Sequence, residues 1–198
     1  ALSRPVRVAL NLNYDIENPA NWDTFLHNLE EGLRGLNERQ PIEIHALPMQ
    51  SAFKAHDDWT VLAEFRQRIP EIKMHLHRPE TFQEVAAILS GCDLLISERL
   101  HSIVIAAILG KPCLALTYDV KVRELVETLN IQEYALEINR PFDPELLTER
   151  AEALLRAPDI ASRHLIHRAT TLRSEMDAYV LNLQQRLETL AGPVKGCG

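Results

Sequence analysis

From residue 6 to residue 12 the run Val-Arg-Val-Ala-Leu-Asn-Leu alternates apolar side chains with others, the pattern of a strand. Trp22, Phe25, Leu26, Leu29, Leu33 and Leu36 then recur at helical spacing, so a helix follows. Residues 42–47 predict a second strand that Pro48 ends, and residues 57–68, with Trp59, Leu62, Ala63 and Phe65, a second helix. A weaker third strand spans residues 72–76. Thr81 followed by Glu84 forms a capping box, opening a helix through Val85, Ile88 and Leu89 that Gly91 closes. Leu94-Leu-Ile and Cys113-Leu-Ala-Leu are short continuous apolar runs, the kind that a sheet buries on both faces. Between them residues 102–109 predict a short apolar helix ended by Gly110. After the second run comes an amphipathic helix carrying Val122, Leu125, Val126 and Leu129.

Five strands thus alternate with five helices. Parallel neighbours need crossover connections and this alternation supplies them, so the predicted fold class is α/β, a Rossmann-like parallel sheet with helices on both faces. Residues 1–140 make up that domain. Beyond Pro141 the composition shifts to helix formers, predicting helices over 144–155 and 160–190 with Pro158 between them. Residues 141–191 are expected to pack on the sheet domain, and the Gly-rich residues 192–198 to form a flexible tail. The last helix is long enough to cross the domain, to reach something absent from this chain, or to mediate a homo-oligomer.

Composition narrows the class. A length of 198 residues with 46% apolar and 25% charged side chains is that of a globular protein, and no apolar segment is long enough to span a bilayer. The formal charge of −7 argues against nucleic acid as a partner, so an anion would need a focused site. Three cysteines are an odd number. Cys92 and Cys113 lie in apolar surroundings and Cys197 in the Gly-rich tail, which fits a reducing compartment better than a disulfide framework. No secretory signal opens the chain, and Ala1 is compatible with a processed, trimmed or partial sequence.

In a parallel sheet the residues just after each strand collect along one edge, where α/β proteins bind ligands. That edge gathers Asn11, Asn13 and Tyr14 after the first strand, Gln50 after the second, Arg99 and His101 after the fourth, and Asp119 and Lys121 after the fifth. Doubly wound order opens a crevice between Asn11 and His101, into which the helix beginning near Ser102 aims its free N–H groups. The outline suits a phosphate or carboxylate. Neither a Walker pattern nor a G-x-G-x-x-G occurs, which removes support for nucleotide hydrolysis and dinucleotide binding. Arg99 could instead pair with Glu98 or a helix carboxylate, and Asp119 reads best as a helix cap, as Asp57 and Asp58 also do. His75 and His77 share a strand face and His164 and His167 a helix face. With no third ligand at motif spacing, no metal is expected.

The segment Cys92-Asp-Leu-Leu-Ile-Ser-Glu-Arg-Leu-His101, continuing to Gly110-Lys-Pro112, resembles the signature of the polysaccharide pyruvyl transferase family. Arg99-Leu100-His101 matches the family's Arg-Leu-His element, and Tyr118, Asp119 and Lys121 its Tyr-Asp-x-Lys element. Pro48-Met49-Gln50 with Asp57 and Asp58 is similar to its second-strand segment. The likeness runs from about Val6 to Tyr134 and is weak in the C-terminal helices. It implies one half of a GT-B-type enzyme, the C-terminal half, with a missing N-terminal domain completing the cleft.

The resemblance further implies transfer of a pyruvyl group from phosphoenolpyruvate, a substrate and not a cofactor, to a pair of sugar hydroxyls. The acceptor would be a sugar or lipid-linked saccharide on the way to a cell-surface polysaccharide, handled in the cytoplasm, at the inner face of the membrane where it is lipid-linked. Arg99 would hold the donor's carboxylate or phosphate as a planar fork, and Lys121 would supply a point charge near the leaving phosphate. His101 would act as general acid or base, since histidine ordinarily titrates near neutrality. Ser102, Asn11 and Gln50 complete the expected donor-binding set. Two alternatives remain open: a GT-B glycosyltransferase or sugar-nucleotide epimerase domain, with Glu98 or Asp119 on a ribose, and a non-catalytic binding module.

Overall fold

The computed structural model describes residues 4–14, 19–50 and 57–191. The expected tail, residues 192–198 with Cys197, lies outside the described residues. Six strands, β1 (Val6–Asn11), β2 (Ile42–Ala46), β3 (Met74–Leu76), β4 (Leu94–Ser97), β5 (Cys113–Thr117) and β6 (Ala135–Glu137), pair in parallel in the order β3-β2-β1-β4-β5-β6. β4 and β5 are buried at every position and β1 at all but Arg7, as expected of strands covered on both faces.

Among the described residues seven α-helices supply the cover. On one face α1 (Trp22–Arg39), α2 (Asp58–Arg68) and α6 (Pro144–Arg156) press Phe25, Leu29, Leu33, Leu62, Phe65 and Leu147 onto Val8, Leu10, Ile44, Ile96 and Leu114. On the other, α3 (Phe82–Ser90), α4 (Leu100–Leu109), α5 (Val120–Leu129) and the first part of α7 (Pro158–Ala191) cover Ala9, Leu95, Cys113 and Ala115. The pleat explains the division, because successive residues of β1 point to opposite faces. Each fully buried leucine contributes roughly 2 kcal/mol by leaving water, so this two-sided core outweighs the exposed ion pairs. The chain is α/β with a parallel sheet and helices on both faces.

Three features depart from the sequence reading. A sixth strand, β6, extends the sheet beyond β5 through Ala115↔Ala135, Leu116↔Leu136 and Thr117↔Glu137. It has only three residues, with Leu136 alone buried, too short for alternation to register. β3 begins at Met74 rather than residue 72. α4 begins at Leu100, two residues before the expected start, which places His101 inside its first turn.

α7 leaves the domain. Leu165 is buried, the His164 ring donates to Leu129 O at 2.9 Å, and Arg168 donates to Thr128 O at 2.6 Å, so α5 holds the first part of the helix. Farther along, Met176, Tyr179, Val180, Leu181, Leu183 and Leu187 are exposed. The first part also presses on the end of α4. There Gly110 adopts φ +64°, the left-handed region that glycine enters without penalty. A Cβ at this position would lie 2.7 Å from both Ile166 Cδ1 and Ser162 Oγ. Gly110→Ala is expected to lower unfolding free energy by about 2 kcal/mol or more, read as a lowered urea midpoint at unchanged slope.

Candidate functional site

The strand order reverses between β1 and β4, so the crevice outside their carboxyl ends is the topological switch point of the sheet. At its floor lies Asp58, the first residue of α2 and fully buried. Its Oδ1 accepts from Arg99 Nη2 at 2.5 Å. Oδ2 accepts from Arg99 Nε at 3.2 Å, Asn11 Nδ2 at 3.3 Å, Met49 N at 3.0 Å and Gln50 N at 3.2 Å. A buried carboxylate is costly unless its lone pairs are met, and here the last residue of β1 and the segments after β2 and β4 all contribute donors. Asp58 therefore ties three strand ends to one helix start.

Asn11 completes the tie. Its amide Nδ2 also donates to Leu47 O at 2.8 Å, and its Oδ1 accepts from Arg99 N and Ser97 Oγ, each at 3.2 Å. Ser102 Oγ donates to Arg99 O at 2.6 Å and lies 2.5 Å from Ser97 Oγ. Asn11 and Ser102, expected at the ligand, are both fully buried with their polar groups engaged inside the domain. The structure gives them a positioning part: they set the backbone of Arg99 and hence the start of α4. Arg99 is the N-cap residue of that helix in extended conformation. Its guanidinium is forked on Asp58 while 17% of the side chain stays exposed, the pairing with a helix carboxylate that the sequence left open.

His101 and Lys121 behave differently. Both are exposed, each the second residue of its helix, α4 and α5, directly after the neighbouring strands β4 and β5. The His101 ring lies 6.3 Å from that of Phe82. Asp119 caps α5 by accepting from Val122 N at 2.8 Å, so it fixes the turn that carries Lys121. Asp57 caps α2 in the same way, and the Thr60 side chain and amide hold its carboxyl below the usual range. Gln50 is exposed at the rim, while Tyr14 stands edge-on to Trp22 at 4.9 Å. Asn13 is buried, its N–H donating to the buried Glu98 at 3.4 Å. His101, Lys121 and Gln50 thus stand exposed, and Arg99 partly so, at positions that follow β4, β5 and β2, the first two in the opening turns of helices whose leading N–H groups carry positive potential.

Sequence reasoning missed two parts of this region. Asp58 was indistinguishable from a second cap beside Asp57. A cleft of about 350 Å³ lined by Pro48, Met49, Asp57, Trp59, Arg78, Pro79 and Glu80 also adjoins the rim, with the Arg78 guanidinium 4.3 Å above the Trp59 ring. Its signal in the chain is an aromatic in the first turn of α2 and an arginine just after β3, too common a pattern to single out. The core cysteines were read as they stand: burial pushes Cys92 up to about 11 and Cys113 up to about 12, so neither is a ready nucleophile.

Comparison with known proteins bears on this geometry. The family model described as polysaccharide pyruvyl transferase matches residues 9–120, more than half of the chain. Among solved structures, one described as a UDP-N-acetylglucosamine 2-epimerase from Listeria monocytogenes is similar with a TM-score of 0.55 and 14% identity, over 91% of this chain and 47% of that one. A structure concerned with EarP-mediated arginine glycosylation of translation elongation factor EF-P matches with a TM-score of 0.59 and 15% identity, over 92% of this chain and 62% of the other. The spinosyn rhamnosyltransferase SpnG, complexed with thymidine diphosphate, matches with a TM-score of 0.52 and 15% identity, over 86% and 43%. At these identities the likeness is one of fold, that of a Rossmann-like half of a GT-B enzyme. The chain spans about half the length of such structures.

Removing the Asp58 carboxylate strands Arg99, Asn11 and two backbone N–H groups together. Asp58→Ala is expected to cost about 3–5 kcal/mol of unfolding free energy in urea denaturation, the scale for breaking a buried charged pair. Asp58→Asn, which keeps the shape, is expected to lose less.

Proposed function

Because this chain belongs to the polysaccharide pyruvyl transferase family, we propose that it is the donor-binding half of an enzyme that transfers a pyruvyl group from phosphoenolpyruvate to two hydroxyls of a sugar, forming a ketal. The observation that supports the reading is that His101 and Lys121 are exposed on the first turns of α4 and α5, which follow the adjacent strands β4 and β5 at the ligand edge of the sheet where Arg99 is forked on Asp58. Phosphoenolpyruvate is small and carries a carboxylate and a phosphate, so it suits two cations and two helix N-termini in one crevice.

The chemistry assigns each group a task. The methylene carbon of the donor gains a proton, the central carbon gains bonds to two sugar oxygens, and phosphate departs with the C–O bond electrons. Of the two hydroxyl protons released, one balances that gained by the methylene and the other leaves with phosphate or solvent. His101 is the group for proton transfer, as acid toward the methylene or base toward a hydroxyl. Lys121 neutralises the departing phosphate, and the exposed face of Arg99 steers the carboxylate while Asp58 fixes its plane. Gln50 is left to orient an acceptor or donor oxygen from the rim. No oxidation state changes overall, so the reading calls for no redox cofactor.

The proposed acceptor is a saccharide precursor of a cell-surface polysaccharide, with the reaction in the cytoplasm, at the inner membrane face where the acceptor is lipid-linked. Among the described residues no helix is long and apolar enough to cross a membrane. The second domain of the GT-B arrangement is the proposed cover for the exposed apolar side chains of α7, Met176, Tyr179, Val180, Leu183 and Leu187.

In the complete enzyme, His101→Ala is expected to lower turnover by roughly 10²–10⁴-fold with the thermal midpoint preserved, measured as ketal formation. Retention of most activity would remove His101 from the chemistry. Calorimetric titration is expected to give saturable phosphoenolpyruvate binding, weakened roughly 10- to 100-fold by Lys121→Ala, with UDP-sugars binding more weakly. The reverse preference would support a sugar-nucleotide enzyme.

A further inference from the structure

Away from the crevice, the pleat and register of β2 and β3 bring four side chains into contact on one patch of the sheet. Glu43 and His45 are two residues apart on β2, so they point to the same face. His75 of β3 is the register partner of His45, which places it on that face too. Their ligand atoms, one carboxylate oxygen and two ring nitrogens, all lie within 4.8 Å of one another. His45 Nε2 is 3.3 Å from Glu43 Oε1, and His75 Nε2 is 3.8 Å from Glu43 Oε2. We propose that Glu43, His45 and His75 bind a divalent transition-metal ion of the zinc class, pinning the three-residue edge strand β3 to β2.

The donor set fits. Two imidazoles and a carboxylate form a borderline set that suits zinc and its neighbours over calcium or magnesium. Around a tetrahedral ion with bonds of about 2.0–2.1 Å the ligand atoms stand roughly 3.4 Å apart, so the cluster needs to contract by up to about 1.4 Å at its widest. His77, just beyond β3, supplies the outer support that metal-bound histidines usually have. Its Nε2 lies 3.0 Å from His45 Nδ1, and with a bound ion a proton shared on that side would leave the His45 Nε2 lone pair to the metal, in place of the hydrogen bond that Nε2 gives Glu43 without one. His75 keeps 40% of its side chain exposed, giving a hydrated ion an approach and a fourth position to water.

Two cations work against the site. Arg7 Nε donates to Glu43 Oε1 at 2.9 Å and Lys73 Nζ lies 3.5 Å from Oε2, and together with His45 they offset the cost of burial and hold the Glu43 carboxyl at about 2. Lys73 is 69% exposed and free to swing into solvent, whereas Arg7 bonds one lone pair of a carboxylate that has several. A competing arrangement without metal is a hydrogen-bond chain from His77 through His45 to Glu43, and the two differ in what they predict.

Zinc chloride titrated calorimetrically into the metal-stripped full chain is expected to show one saturable site per chain. His75→Ala, at an exposed edge position, and His45→Ala are each expected to weaken it at least about 100-fold, and His77→Phe about 10-fold. His164→Ala, whose ring bonds Leu129 O elsewhere, should leave it unchanged. Because His45→Ala disturbs a half-buried position, wild-type histidine NMR provides a second reading: zinc should shift the His45 and His75 ring resonances first. No saturable binding, affinity unaltered by His75→Ala, or zinc-induced shifts confined to other histidines would overturn the proposal.

Discussion

The ligand edge of this protein is organised by one buried negative charge. Asp58 has surrendered its water, and its folded state is tolerable because five bonds from three separate strand ends replace it. The dependence runs both ways. Without the carboxylate, the Arg99 guanidinium and the Met49 and Gln50 amides lose their acceptor. Without the sheet order that places β1 between β2 and β4, no set of donors would converge on it. Asn11 and Ser102 extend the same network to the backbone of Arg99, so the residue that begins α4 is gripped at its amide, its carbonyl and its side chain. Holding this junction still is what lets the exposed groups of the next turn sit at a defined place.

This division of labour separates side chains that look alike in the sequence. Arg99, His101 and Lys121 are three nitrogenous groups at consecutive strand ends. One is bound mainly to its own domain and two face solvent. A forked guanidinium retains its charge and plane, so it can serve as a fixed wall at the strand ends, whereas the imidazole and ammonium keep the rotational freedom that the proposed proton transfer and departing phosphate would call for. The family match covers the segment that contains this junction, residues 9–120, and leaves Lys121 with the rest of α5, β6 and the last two helices outside it. Those helices pack by ordinary apolar contact: Leu147 and Ala151 join the core under α1, and Thr148 Oγ1 donates to Gly32 O at 3.0 Å.

Much of the fold was legible because burial on two faces writes itself as continuous apolar runs, as in Leu94-Leu-Ile and Cys113-Leu-Ala-Leu, and because capping residues such as Thr81 and Asp119 mark where helices begin. β6 escaped notice because three residues with one inward side chain leave no period. The start of α4 was misplaced because Arg99 is not a capping residue by type, while Ser102 is, and the Ser102 hydroxyl bonds backward to the Arg99 carbonyl instead. The placing of Gln50, His101 and Lys121 just after strands followed from strand ends alone. The buried members did not: Asp57 and Asp58 differ by one position, and only the three-dimensional closure tells the helix cap from the ion that points inward. Likewise His75 was visible as a strand histidine, but its meeting with Glu43 and His45 depends on a parallel register that no local pattern encodes.

The close fit at Gly110 has a mechanical consequence. α4 is a stiff strut of ten residues, about 15 Å long, with His101 near one end and the Ser162–Ile166 contact of α7 at the other. Its far end has almost no clearance, so whatever tilts the projecting rod of α7 must either open a gap there or push the strut along. The turn that carries His101 is thereby braced, through the length of α4, by the first part of α7.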